Sequence, residues 1–285
     1  MRKMLRNILT VALMMVVFTA CNNNSNRITM VTEAVDRIEI VVAGSGVVTI
    51  DWGDGSEKIT RTLHRDGIEI AHTYPTATMR TIIIIGDNIT ELDVSENQLT
   101  SLEVSRNIAL TYLNCSFNQL TSLDVSRNTA LTFLDCSDNQ LTSLDVSKNI
   151  ALEWLLCAGN QLTNLDVSKN TVLKWLFCQE NQLTNLDVSK NIELILLNCS
   201  KNQLTNLDVS KNVTLACLTI NGNKFSTDAL NALFHTLHSN EVDIDENNFI
   251  FNNNCWVEKA IIIDRNSAGD KSIAKRKGWT FPFFY

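Results

Sequence analysis

The sequence predicts a mostly β protein: a solenoid of stacked coils with two short parallel strands per coil, a small β domain ahead of it and an α/β cap behind it. Three observations carry that expectation. Between Ile89 and Asn223, Asn-Gln-Leu returns every 21 residues, at Asn97, Asn118, Asn139, Asn160, Asn181 and Asn202, and Asn223 keeps step. A fixed period near 20 residues means stacked supersecondary units, none of which buries its apolar face alone. Each row holds two copies of Leu-x-x-Leu-x-(Cys/Val)-x-x-Asn, as in Leu152–Asn160 and Leu162–Asn170. The last two apolar positions of each copy are two apart, which is strand alternation. Past Phe225 the period stops and the apolar spacing becomes helical.

Residues 1–21 read as a targeting segment. Arg2, Lys3 and Arg6 precede the apolar run Ile8–Phe18, which is too short to span a bilayer. Phe18-Thr-Ala-Cys21 resembles a bacterial lipobox, which implies lipid attachment at Cys21, with residues 22–26 as a polar tether. The expected location is the cell envelope, membrane-anchored, with the face of the membrane left open. The formal charge is −7, and removal of the three N-terminal cations makes the chain more acidic still. That balance argues against nucleic acid as a partner.

Residues 27–88 read as a small β domain. Arg37–Val42, Val47–Trp52, Ile68–His72 and Thr81–Ile85 are β-branched runs separated by turn residues. In Asp51-Trp-Gly-Asp-Gly-Ser56, Gly53 and Gly55 permit positive φ and the Asp side chains can bond turn amides. Asp51 and Asp54 have a second reading as calcium ligands; the satisfied turn is preferred. Together with His72-Thr-Tyr74, this segment resembles the PKD-type Ig-like domains of surface proteins. The resemblance implies a β-sandwich spacer with Trp52 and Tyr74 in its core. Only Gly86-Asp-Asn88 separates it from Ile89, so it is expected to abut the first coil as a cap.

Residues 89–223 are the solenoid. The Asn that ends each strand unit can bond the backbone of its own coil and its neighbours, which suits a bend at every repeat. The pattern Leu-x-x-Leu-x-Cys-x-x-Asn-Gln-Leu-x-x-Leu-Asp-Val-x-x-Asn resembles bacterial leucine-rich repeats of the IRREKO type and is similar to the repeats of internalin-like surface proteins. Cys115, Cys136, Cys157, Cys178 and Cys199 form one column, continued by Ile220. With no Cys-x-x-Cys and no nearby His, they read as buried apolar thiols rather than metal ligands or disulfides. Whether Cys217, which lies off the column, pairs with Cys255 is left open.

The two outward sides of a row differ. In the second half the outward residues barely change: Ser101, Ser122, Ser143, Asn164, Asn185 and Asn206, beside Glu103, Asp124, Asp145, Asp166, Asp187 and Asp208. Arg106, Arg127, Lys148, Lys169, Lys190 and Lys211 run nearby. Cations and backbone amides can offset that acid column, so it reads as a repeated structural solution rather than a metal ladder. In the first half the outward residues vary, with Tyr112, Phe133, Trp154, Trp175, Leu196 and Cys217 in one column and Asn114, Asp135, Leu156, Phe177, Asn198 and Thr219 in the next. Exposed aromatic clusters mark recognition sites, so Tyr112, Phe133, Trp154, Leu156, Trp175, Phe177 and Leu196 are the candidate ligand-binding residues. The alternative is that the rings only stack between coils or lie under the C-terminal segment.

Residues 224–285 read as a cap. Phe225–Leu237 has Ser226 as N-cap and Ala229, Leu230, Leu233, Phe234 and Leu237 on one face. Val242–Ile244, Phe249–Phe251 and Ala260–Ile263 read as strands, Asp270–Lys277 as a second short helix and Trp279–Tyr285 as an apolar end. No nucleophile–base motif, phosphate loop or metal-ligand cluster occurs, and His235 and His238 read as one turn of helix surface. The expectation is therefore a non-enzymatic cell-envelope protein, an adhesin or scaffold that binds protein or glycan, with no cofactor. The alternative is a purely structural component of the envelope. The oligomeric state is not read from the sequence.

Overall fold

The computed structural model describes residues 26–33, 37–239, 260–264 and 267–282. Cys21 and the targeting segment, the expected strands Val242–Ile244 and Phe249–Phe251, and Cys255 lie outside the described residues.

Five strands precede the coils: β1 (Arg27–Thr32), β2 (Arg37–Asp51), β3 (Ile59–Thr62), β4 (Ile68–Thr73) and β5 (Arg80–Asp93). The runs at Arg37 and Val47 are one long strand instead of two. Gly44 makes this continuity feasible: at φ 151°, an added Cβ would lie 2.0 Å from the Asn88 carbonyl oxygen, so only glycine lets β2 bend there while staying against β5. β2 pairs antiparallel with β4 through Arg37–Val42, with β3 through Val47–Ile50, and with β5 on its other edge. Trp52 and Tyr74 are 1% and 2% exposed, and the Tyr74 hydroxyl donates to the Trp52 carbonyl at 2.7 Å.

β5 is the junction with the solenoid. Its first half pairs antiparallel with β1, and Glu91–Asp93 pair parallel with β7 (Tyr112–Asn114). The coils then add β8 (Phe133–Asp135), β9 (Trp154–Leu156), β10 (Trp175–Phe177), β11 (Leu196–Asn198) and β12 (Cys217–Thr219), all parallel and in register. Beyond them, β13 (Ala260–Ile262) extends the sheet against β12. Leu113, Leu134, Leu155, Leu176, Leu197 and Leu218 point inward and are fully buried.

The expected second strand per coil is not formed. Only the first row has one, β6 (Leu99–Glu103), and it is a strand because β1 lies antiparallel beside it. In later rows a single backbone bond links successive coils here, such as Gln140 N to Leu120 O and Gln161 N to Leu141 O. The reason is the neighbour: β6 has β1 beside it, and the later rows have no such strand among the described residues. Each Asp side chain accepts its own Ser amide two residues on, as Ser147 N does to Asp145 Oδ1 at 2.8 Å. The chain then turns, with Asn149 N bonding Val146 O and Leu152 N bonding Asn149 O. The first row makes the same bonds, Ser105 N to Glu103 Oε1 and Asn107 N to Val104 O, so these turns do not decide which row is a strand.

Two asparagine columns stitch the coils. Asn160 Nδ2 donates to Cys136 O in the previous coil and to Cys157 O and Ala158 O in its own, while Oδ1 accepts Leu141 N. At the N-terminal end β2 stands in for the missing coil, since Asn97 exchanges both bonds with the Glu39 backbone. The second column is half satisfied. Asn170 Nδ2 donates to Val146 O and Asn149 O, but its buried Oδ1 has no partner.

A third column was not foreseen. The residue before each ladder Asn has positive φ: Glu96 (57°), Phe117 (52°), Asp138 (51°), Gly159 (62°), Glu180 (56°), Lys201 (51°) and Gly222 (72°). The left-handed region costs a non-glycine residue about 1–2 kcal/mol, against about 0.5–1 kcal/mol of chain entropy for glycine. Phe117 is 57% exposed and has little packing to lose. Phe117→Gly is therefore expected to raise stability by up to ~1 kcal/mol, read as a higher urea midpoint; a lower midpoint would contradict the strain argument.

The described C-terminal residues cover the last coil. α1 (Thr227–Thr236) starts at Ser226, whose hydroxyl accepts Ala229 N, and buries Leu230, Leu233 and Phe234. α2 (Lys271–Lys275) is capped by Asp270. His238 lies beyond the helix end: its Nε2 bonds Leu215 O at 2.7 Å, so the helix-surface reading holds for His235 alone.

Candidate functional site

The outward side of the parallel sheet carries all seven candidate residues. Strand alternation puts the Leu113 column inward and its two neighbours outward, and the parallel register aligns them coil after coil. Tyr112 stacks on Phe133 with ring centroids 4.4 Å apart, and Trp154 stacks on Trp175 at 3.6 Å. Phe133 and Trp154 are looser, at 6.3 Å and tilted 37°. The rings therefore form two face-to-face pairs. Within each pair, one face of each ring is covered by its partner. Tyr112, Phe133 and Trp154 are half-buried, whereas Trp175 is 6% exposed. Leu156, Phe177 and Leu196 are half-buried beside them.

The strip changes character along its length. At its C-terminal end Leu196 packs on Cys217 and Ala260. Cys217 is disulfide-bonded and 3% exposed; the Cys255 considered as its partner lies outside the described residues. In the middle Lys174 Nζ bonds Glu153 Oε2 at 2.8 Å. At the N-terminal end the columns begin with Glu91 and Asp93, opposite Tyr112 and Asn114. Sequence reasoning missed these two, although Leu92-Asp-Val94 keeps the repeat's register. Asn114 Nδ2 donates to Asp93 Oδ2 at 2.9 Å, and Ser137 N donates to Asp135 Oδ1 at 2.9 Å. Burial raises the Asp135 carboxyl above its ordinary value. Burial first, then the charges of Asp93, Asp135 and Glu91, push the Tyr112 phenol up to about 12.

The second-half acid column is structural. Asp124, Asp145, Asp166, Asp187 and Asp208 each accept the Ser amide two residues on. Bonding to those serines holds Asp124, Asp145, Asp166 and Asp187 below the ordinary carboxylate value. Among the described residues none of the six neighbouring cations forms an ion pair, so amides do most of the compensating. Asp51 accepts Gly53 N and pairs with Lys58, while Asp54 accepts Ser56 N and bonds His72 Nε2 at 2.7 Å. These are the bonds of a satisfied turn. Among the described residues no group of three or more His, Cys, Asp or Glu is placed to hold a metal.

The five column cysteines are buried free thiols. Burial raises all five thiol pKa values, that of Cys199 to about 12.

The family model for Leucine Rich repeats (2 copies) matches residues 108–149. No curated protein matches the chain. Among solved structures, the functional domain of InlJ from Listeria monocytogenes, described as including a cysteine ladder, is 32% identical with a TM-score of 0.53, over 73% of this chain and 42% of that one. A Leptospira interrogans leucine-rich-repeat protein is 23% identical, TM-score 0.44, over 54% and 48% of the two chains. An internalin, InlF, from Listeria monocytogenes is 25% identical, TM-score 0.43, over 50% and 43%. The chain thus spans less than half the length of each of these structures. It carries leucine-rich repeats, and its structural neighbours include internalins.

Proposed function

We propose that the protein is a non-enzymatic binding scaffold of the cell envelope, held by lipid at Cys21, that docks a protein partner on the outward face of the parallel sheet. One observation carries this. Rows that repeat nearly every other position differ along Tyr112, Phe133, Trp154, Trp175 and Leu196, and that variable column is aromatic. A structural role alone would be met by any repeated side chain there. The leucine-rich fold and the internalin neighbours support a protein-binding role. Glycan platforms need a broad open ring face for the sugar, and here each stacked ring gives one face to its neighbour while Trp175 is 6% exposed, which favours protein over glycan. Residues 27–88 serve, in this reading, as the PKD- or Ig-like spacer between anchor and face.

The test is the mature, full-length chain on arrays of proteins and glycans, with Trp154→Ala/Trp175→Ala beside the wild type. Hot-spot aromatics contribute at least about 2 kcal/mol each, so the double variant is expected to lose binding by at least ~30-fold while keeping its circular dichroism. Self-association through the same face, with no foreign ligand retained, would favour the alternative of an assembly component. Unchanged ligand binding in the double variant would remove the face from consideration.

A further inference from the structure

We propose that the N-terminal end of this face, around Tyr112 and Phe133, receives a lysine or arginine side chain of a polypeptide partner. The inference rests on the binding role argued above and adds the chemistry of the partner.

Three carboxylates meet there on the outward side. Glu91 is in register with Tyr112, and Asp93 with Asn114, which is in register with Asp135. Their bonds are to neutral groups: Asp93 Oδ1 accepts the Ser95 amide and hydroxyl, Asp93 Oδ2 accepts Asn114 Nδ2, and Asp135 Oδ1 accepts the Ser137 amide. Among the described residues no Lys, Arg or His pairs with any of the three. The cations that share this face are already used, Arg37 by Glu39 and Glu69, and Lys174 by Glu153. Asp93 and Asp135 are also half-buried, so water screens them incompletely.

Negative charge without a counter-charge, beside an apolar strip, defines its complement. A sheet face whose potential is negative selects a positive partner, and burying these carboxylates under a neutral surface would cost free energy. The ring pair then decides the form of the cation. The Tyr112–Phe133 stack covers one face of each ring, which reduces the face area open to an ammonium. The ring surface left open suits an alkyl stem, and carboxylates suit the charged head. Lysine and arginine combine the two, with an apolar stem and a cationic tip. The apolar side chains that follow, Trp154, Leu156, Phe177 and Leu196, fit apolar neighbours of that cation in the same polypeptide.

The test uses the full chain and defined probes: a 12-residue peptide alternating lysine with leucine, the same peptide with glutamate for lysine, and a soluble polysaccharide panel, read by intrinsic fluorescence and calorimetry. The decisive variant is Asp135→Asn. Its column already holds Asn114 and Asn198, each accepting a serine amide in the same way, so the fold tolerates it. The lysine peptide is expected to bind and the glutamate peptide not. Asp135→Asn is expected to weaken the lysine peptide by roughly tenfold or more, as is an increase in salt. No measurable binding of the lysine peptide, equal binding of the glutamate peptide, or an unaffected Asp135→Asn would overturn the inference. Polysaccharide binding lost on Trp154→Ala would replace a polypeptide partner by a glycan. Loss of binding in the tryptophan variants with none in Asp135→Asn would refute the charge argument alone. No effect from either set would refute the binding face itself.

Discussion

Raising the pH from about 8 to about 10 is expected to unfold the protein in one cooperative step. Cys115, Cys136, Cys157, Cys178 and Cys199 are fully buried, and burial lifts their folded-state pKa values, that of Cys199 to about 12. In the unfolded chain a thiol ionises near 8.5. A raised folded pKa means the folded state keeps its proton while the unfolded chain loses it. Stability is therefore complete below the unfolded value and falls as pH rises towards the folded one. At pH 10 each thiol contributes about 2 kcal/mol to that loss, and five together on the order of 10 kcal/mol. A domain's whole stability is about 5–15 kcal/mol, so the column alone can exhaust it. Tyr112 acts in the same direction at higher pH. The check is a series of urea titrations from pH 7 to 10.5, beside a variant with valine at all five positions. Val94 and Ile220 already occupy the ends of this column, buried, so the interior accepts branched aliphatics there. The valine variant should show a nearly flat profile up to pH 10. A wild type equally flat would show that the thiols are not enclosed.

Asn160→Ala is expected to cost about 2–3 kcal/mol, more than any exposed substitution in the same coil. The change orphans the Leu141 amide and weakens the hold on Cys136 O, Cys157 O and Ala158 O, which keep Asn139 Nδ2, Asn181 Nδ2 and Asp138 N as donors. Each buried group left without a partner costs about 1–3 kcal/mol. Asn170→Ala, in the other column, loses two donations but also removes an oxygen that has no partner. It should cost about half as much. Equilibrium urea unfolding of the two variants side by side measures the difference, and equal losses would mean that the two columns bear the coils equally. Because each coil touches only its neighbours, the defect should also lower cooperativity by separating the coils before Asn160 from those after it.

Several features of the face were legible from spacing alone. Period and alternation place Tyr112, Phe133, Trp154 and Trp175 outward, because a two-residue repeat leaves no other side for them once Leu113, Leu134, Leu155 and Leu176 point inward. How the rings meet was not legible. Whether neighbouring rings stack or splay depends on rotamers set by adjacent coils. The result, two stacked pairs with Trp175 nearly enclosed, leaves each stacked ring with one face covered by its neighbour. The acidic end was missed because Glu91 and Asp93 belong to a strand that begins in the preceding β segment, and only the pairing of β5 with β7 brings them beside Tyr112.

What the sequence determined by itself is whatever repeats: coil length, the inward leucine and cysteine columns, and the asparagine bends. These follow from local chemistry copied at a constant interval, so each row predicts the next. Tertiary structure alone decided where hydrogen-bond partners come from. Residues 99–103 form a strand because β1 lies beside them, whereas later rows, with a closely similar sequence and the same turn bonds, have no such neighbour among the described residues. A backbone group bonds the nearest competent partner, and which partner is nearest is a property of the assembled fold.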